Sequence, residues 1–290
     1  MSFSENLLQL KKQAMAQAGP MFAHIDSIAE ANTLKVLDAM RECQVSEAHF
    51  NTTSGYAYDD IGRSKIEELF AKVFGAERAL VRTNFVSGTH ALATVLFGIL
   101  RPGDKLVSIT GAPYDTMQTV IGYANESPGS LKEFGVLYDE LEMIDGKVDM
   151  AGIAGKITPD TKMVLIQRSR GYSMRNPLTI EEIGAICQEV KKVKPDCICF
   201  VDNCYGEFVD TQEPVQAGAD IMAGSLIKNP GGGVALTGGY IAGKSDLVEL
   251  CSYRLTAPGM GDELGASLAN NRMIFQGFFL APHVVAQAIK

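Results

Sequence analysis

The tract Gly224-Ser225-Leu226-Ile227-Lys228-Asn229-Pro230-Gly231-Gly232-Gly233 decides the reading of this chain. Here a lysine follows an apolar strand pattern and precedes a glycine-rich loop. An amine so placed can form a Schiff base if burial or a neighbouring cation lowers its pKa. Ser225, three residues earlier, could reach a phosphate. An exposed loop lysine is the plainer alternative, and the tract alone does not choose between them.

Three stretches upstream bear on the choice. Phe200-Val201-Asp202-Asn203 closes an apolar run with a carboxylate, which sets the acid at a sheet edge near a cleft. A pyridinium nitrogen needs such an anion to stay protonated, and the protonated ring is a strong electron sink. A turn-initiating Asp would read the same way. Ser87-Gly88-Thr89-His90 opens a helical pattern, where free N–H groups and the positive dipole end can cradle a phosphate. A simple N-cap is the alternative there, and His90, one residue inside the helix, reads as structural. Tyr114, in Gly111-Ala112-Pro113-Tyr114-Asp115-Thr116, lies between a strand and a helix, so its ring could stack on a planar cofactor or merely pack. Phosphate loop, aromatic, strand-end Asp and Lys, in that order, is the layout of fold-type I pyridoxal-5′-phosphate (PLP) enzymes.

The rest of the chain supports an α/β reading. Short apolar β-runs at Ala79–Thr83, Lys105–Ile109, Lys162–Gln167, Cys197–Asp202, Asp220–Ser225 and Gly238–Ala242 alternate with helical patterns. That alternation predicts a mostly parallel sheet covered on both faces, with the ligand beyond the C-terminal strand ends. Helices are expected over residues 1–50, Ser64–Phe74, Ser87–Leu100, Thr116–Tyr123 and Thr179–Lys192. Ser64 with Glu67 reads as a capping box and Gly75 as a C-cap. Thr179 reads as a cap with Glu181 and Glu182 in the first turn.

Composition narrows the function classes. The 290 residues carry a formal net charge of −8 and no Lys/Arg cluster, which argues against nucleic acid. No apolar run reaches the roughly 18 residues of a membrane-spanning helix. The amphipathic start MSFSENLLQLKKQAMAQ is no signal peptide, so a cytoplasmic location is expected. The six cysteines fit no disulfide framework. Alternation puts Cys197 and Cys199 on one strand face as small buried hydrophobes. The acidic Glu207–Asp210 region receives no metal assignment.

The chain resembles the Cys/Met-metabolism branch of PLP enzymes, which includes cystathionine lyases and methionine γ-lyase. Within that branch it is most similar to the aluminium resistance protein family, through SLIKNPGGG, TGGYIAG (Thr237–Gly243) and RLTAPGMGDELG (Arg254–Gly265). The resemblance implies an aspartate-aminotransferase-type (fold type I) large domain with a seven-stranded sheet. It also implies that Lys228 holds the cofactor and shuttles the substrate α-proton, that Asp202 pairs with the ring nitrogen and that Tyr114 stacks on the ring. Ser87, Gly88, Thr89 and Ser225 would hold the phosphate. The expected reaction is β- or γ-elimination on a sulfur-containing amino acid. An aminotransferase, or a non-catalytic PLP-binding remnant, is the alternative.

The sequence departs from that branch in places. The Tyr-x-Arg that reaches a neighbouring subunit's phosphate is replaced by Tyr56-Ala57-Tyr58-Asp59-Asp60-Ile61-Gly62-Arg63, leaving Tyr58 and Arg63 as candidates. Asp202-x-x-Tyr205 keeps the aminotransferase spacing, in which the Tyr bonds the cofactor's phenolic oxygen. The usual substrate-carboxylate Arg belongs to a small C-terminal domain, which the resemblance leads one to expect to be largely missing from these 290 residues, so Arg168 and Arg170 become candidates for that role. The expected organisation is a helical arm over 1–55, a PLP-binding domain over 56–255 and the start of a truncated segment over 256–290. A homodimer or homotetramer is expected, with Thr52–Arg63 as the exchange element.

Overall fold

The computed structural model describes residues 4–124 and 127–290; the first three residues of the amphipathic start therefore lie outside the described residues. After a long helix α1 (Glu5–Glu42) and a 3₁₀ turn (Glu47–Phe50) come α2 (Ile61–Phe74), β1 (Arg78–Arg82), α3 (Gly88–Ile99), β2 (Lys105–Ser108) and α4 (Asp115–Ile121). Next are β3 (Leu137–Glu140), a two-stranded ribbon of β4 (Met143–Ile144) and β5 (Lys147–Val148), and the short α5 (Ile153–Lys156). The chain continues through β6 (Thr161–Gln167), α6 (Ile180–Val193), β7 (Ile198–Asp202), β8 (Ile221–Ser225), β9 (Gly239–Gly243), α7 (Ser245–Leu255) and α8 (Asn271–Ile289).

Seven strands form one sheet in the order β1-β9-β8-β7-β6-β2-β3. All neighbours pair in parallel except at β9, which runs antiparallel to both β1 and β8. This is the mostly parallel α/β sheet expected from the sequence. Period-two alternation sorts the side chains of each strand between two cores. Cys199 and Val201 enter the core shared with α2, α6 and α8, whereas Ile198 and Phe200 enter the core under α3 and α7. Cys197 and Cys199 lie in the same core, as their spacing requires.

Local chemistry sets the helix ends. Ser87 caps α3, its side chain accepting from His90 N at 3.1 Å, and Thr179 with Glu182 completes a capping box on α6. One expectation fails at α2. The N-cap is Asp60, whose Oδ1 accepts from Arg63 N at 2.8 Å, and Ser64 lies inside the helix. Ser64-x-x-Glu67 imitates a capping box, but Glu67 is drawn away to the Val81 amide and the Arg82 guanidinium. Gly75 ends the helix at φ 67°, a backbone that glycine adopts without Cβ strain.

Helix α8 packs into the main core. Phe275, Phe278, Ala281 and Val285 of α8 belong to the same core as β7 and α2, and Phe278 stacks on Phe70 with ring centroids 3.9 Å apart. The strand β3 and the helices α7 and α8 were not anticipated. The β3 run, Leu-Tyr-Asp-Glu, is a polar edge strand without an apolar signature.

Candidate functional site

The residues singled out from the sequence gather where β7, β8, β2 and β6 end and α3 begins. Asp202 is the last residue of β7 and is buried, and its Oδ1 accepts from Cys204 N at 3.1 Å. Burial pushes its carboxyl up, against the pull of that amide and of Lys228. Lys228 follows β8, half-buried, with Nζ 4.1 Å from the centroid of the Tyr205 ring. Burial pulls its amine down, but Cys204, Tyr205 and Asp202 outweigh that and hold it above its ordinary value. Tyr205 is exposed and takes a left-handed backbone at φ 69°.

The start of α3 packs against Ser225 and Cys204. A Cβ on Gly88 would stand 3.2 Å from Ser225 Cβ and 3.3 Å from Cys204 Sγ, so glycine is what allows three segments to meet. Helix geometry leaves the Gly88 and Thr89 amides facing out of the N-terminal end, since Ser87 captures His90 N. Ser225 Oγ is buried with no hydrogen-bond partner among the described residues. An orphaned hydroxyl beside free helix amides suits an anionic oxygen group. A buried carboxylate with a single amide donor suits a protonated ring nitrogen. The donor set therefore fits PLP.

Tyr114 sits at the N-terminus of α4. Gln167 Oε1 accepts from its main-chain amide at 3.0 Å, and its hydroxyl lies 3.2 Å from Thr89 Oγ1. Burial, then Asp202, pushes its phenol up. A cleft of about 1090 Å³ borders Tyr114, Gln167 and Arg170, and another of about 610 Å³ borders Tyr205, Gly206 and Arg170. The exposed Arg170 thus faces both openings.

The other arginines are committed elsewhere. Arg63 is buried and donates to the carbonyls of Ala57, Gly265, Tyr58 and Glu263, which ties the 261–271 segment to α2 rather than facing the cleft. Arg168 also borders the smaller cleft, but it is buried, and its Nη1 donates to Asn203 and Gly206 beside the Glu213 carboxylate. Tyr58 is exposed beside Tyr56, on a flank shared with His49 and Asp59. His90 Nδ1 accepts from Val86 N at 3.2 Å, a role internal to the turn.

The profile of the methionine gamma-lyase family matches residues 7–290. The chain belongs to that family. An uncharacterised Bacillus subtilis protein, YnbB, is 51% identical over 97% of this chain and 68% of its own length. A solved structure from Clostridium novyi, named as a carbon-sulfur lyase involved in aluminium resistance, is 49% identical with a TM-score of 0.94 over 98% of this chain and 68% of its own. The L-methionine gamma-lyase of Pseudomonas deceptionensis is 25% identical over 74% of this chain and 49% of its own length. The chain therefore spans about half of that enzyme.

Sequence reading missed two features of this family member's site. One is Cys204, whose sulfur lies between Gly88, Asp202 and Lys228. The other is a buried polar layer behind Asp202. Tyr240 donates to Glu207 Oε1 at 2.7 Å, and Asn203 Nδ2 donates to Glu213 Oε2 at 2.9 Å. Burial pushes Glu207 up to about 8. These partners are far apart in sequence, and only Gly206, squeezed against Arg168, left a local sign.

Proposed function

We propose that this chain binds PLP through Lys228 and catalyses β- or γ-elimination at a carbon–sulfur bond of an amino acid. What carries the reading is the convergence of an amine, a buried carboxylate and an orphaned hydroxyl at a helix N-terminus, on a family known by its methionine gamma-lyases. When bound, the cofactor supplies a protonated pyridine ring that accepts the electron pair left at the substrate α-carbon.

The chain's own residues would do the rest. Ser225 Oγ, Ser87 and the Gly88 and Thr89 amides would hold the phosphate. Asp202 would keep a proton on the ring nitrogen. Tyr114 would cover one ring face, and the Lys228 amine would carry the α-proton. Arg170, open to both clefts, would meet the substrate carboxylate. Self-association would let the exposed Tyr58 serve the site of a second copy.

The test is spectroscopic and then chemical. Purified protein should develop the visible band of a lysine-bound pyridoxal, fixed by borohydride and lost in Lys228→Ala. With L-methionine or L-cystathionine it should release ammonia and a 2-oxo acid repeatedly. Stoichiometric 2-oxo acid without ammonia would point to amino-group transfer, the reading that the Asp202-x-x-Tyr205 spacing keeps open. Protein that takes up no PLP would overturn the proposal.

A further inference from the structure

Arg168 grips the turn that carries the candidate site. Its main-chain amide donates to the Asp202 carbonyl at 3.1 Å. Its Nη1 donates to Asn203 Oδ1 at 2.9 Å and to the Gly206 carbonyl at 2.8 Å. Glu213, wholly buried and 3.8 Å from that Nη1, supplies the counter-charge. Glu213 also accepts from Asn203 Nδ2 and, at 2.8 Å, from Phe208 N. Gly206 lets the arginine in. A Cβ there would lie 2.4 Å from Asn203 Oδ1, 2.5 Å from Arg168 Cδ and 2.7 Å from Nη1.

A buried ion pair is a weak source of stability, because desolvation offsets most of the attraction, whereas its geometry can specify one arrangement. The arrangement held here is the turn 202–206. We propose that Arg168 is a positioning residue: through Asn203 and Gly206 it fixes that turn so that the Asp202 carboxylate and the Tyr205 ring face Lys228, and it does not bind substrate. The proposal rests on the reading of this cleft as a PLP site.

Two variants test it. Arg168→Met/Glu213→Gln removes both charges together, which avoids stranding one buried ion. Gly206→Ala keeps every charge and drives the Arg168 side chain out of its seat, so it carries the test if the double variant fails to fold. Amide hydrogen exchange over residues 203–208, followed by mass spectrometry without cofactor, should quicken in both. The dissociation constant for PLP, by absorbance titration, should weaken at least about tenfold, as loss of outer-layer partners does elsewhere. Unchanged exchange overturns the proposal. So does wild-type PLP affinity combined with a much higher amino-acid concentration needed to perturb the bound-cofactor spectrum, the signature of a substrate arginine. Faster exchange in variants of a chain that never takes up PLP would refute the cofactor reading and leave the positioning of the turn standing.

Discussion

Ser225 and Glu207 show how single groups set the chemistry of this cleft. Among the described residues Ser225 Oγ has no protein partner to lose, so Ser225→Ala should leave folding intact. A hydrogen bond to a charged group contributes about 1.5–3 kcal/mol, which predicts PLP binding weakened about tenfold or more in a cofactor titration. Glu207 behaves oppositely. Its carboxyl ionises at about 8 in the folded chain against 4.5 in the unfolded one, so the folded state holds the extra proton between those values. Its contribution is therefore complete below pH 4.5 and lost progressively as pH rises to about 8. Glu207→Gln, which cannot ionise, should melt above the wild type by a margin that grows across that window, read by thermal denaturation at several pH values. Neither effect was legible in the sequence in the same way. Ser225 stands three residues before Lys228, a local spacing, whereas Glu207 depends on Tyr240, a contact across 33 positions.

At the scale of elements, buried strands declared themselves because both faces are apolar, and their bounds fell within a residue or two of expectation. Helix α2 did not start where expected, because Asp60, four residues before Ser64, caps it. Asp60→Ala should cost about 1–2 kcal/mol, since a cap is lost along with acceptors for Thr53 and Asn271. Ser64→Ala should stay within about 0.5 kcal/mol, as at an ordinary surface position. Urea denaturation of the two variants separates the assignments. Helix α8 carries an apolar face at helical spacing, but Gly277 and Pro282 inside it read as breakers, and the face packs on Phe70 and Phe74 of α2. Phe278→Ala should destabilise by about 3–5 kcal/mol, visible in the same denaturation curves. A silent result would mean that α8 is not part of the core.

For the whole molecule, association is the decisive question, and the exposed Tyr58 is the residue that probes it. Sedimentation should give a mass at least twice 31.2 kDa. If Tyr58 works in the site of a second copy, Lys228→Ala and Tyr58→Ala chains should each be impaired alone. Mixed and allowed to exchange subunits, they should recover part of the elimination activity, because one mixed site then has both residues. No recovery from mixed, demonstrably exchanged dimers would confine Tyr58 to its own chain. The general α/β architecture was readable from the alternation of patterns. No contact between copies is legible in the loop 52–63, which is mostly polar and aromatic.

The two rims of the sheet constrain any such assembly. On one side the Val81 amide is already taken by Glu67. On the other, β3 carries Asp139, paired with Lys105 and Lys156, and Glu140, bonded to the Tyr138 hydroxyl. Charged side chains and occupied amides on outer strands discourage strand-by-strand addition. Copies of this protein should therefore meet through helices and loops and not by continuing one sheet into the next, and the same blunted borders should resist fibril seeding when the chain is concentrated.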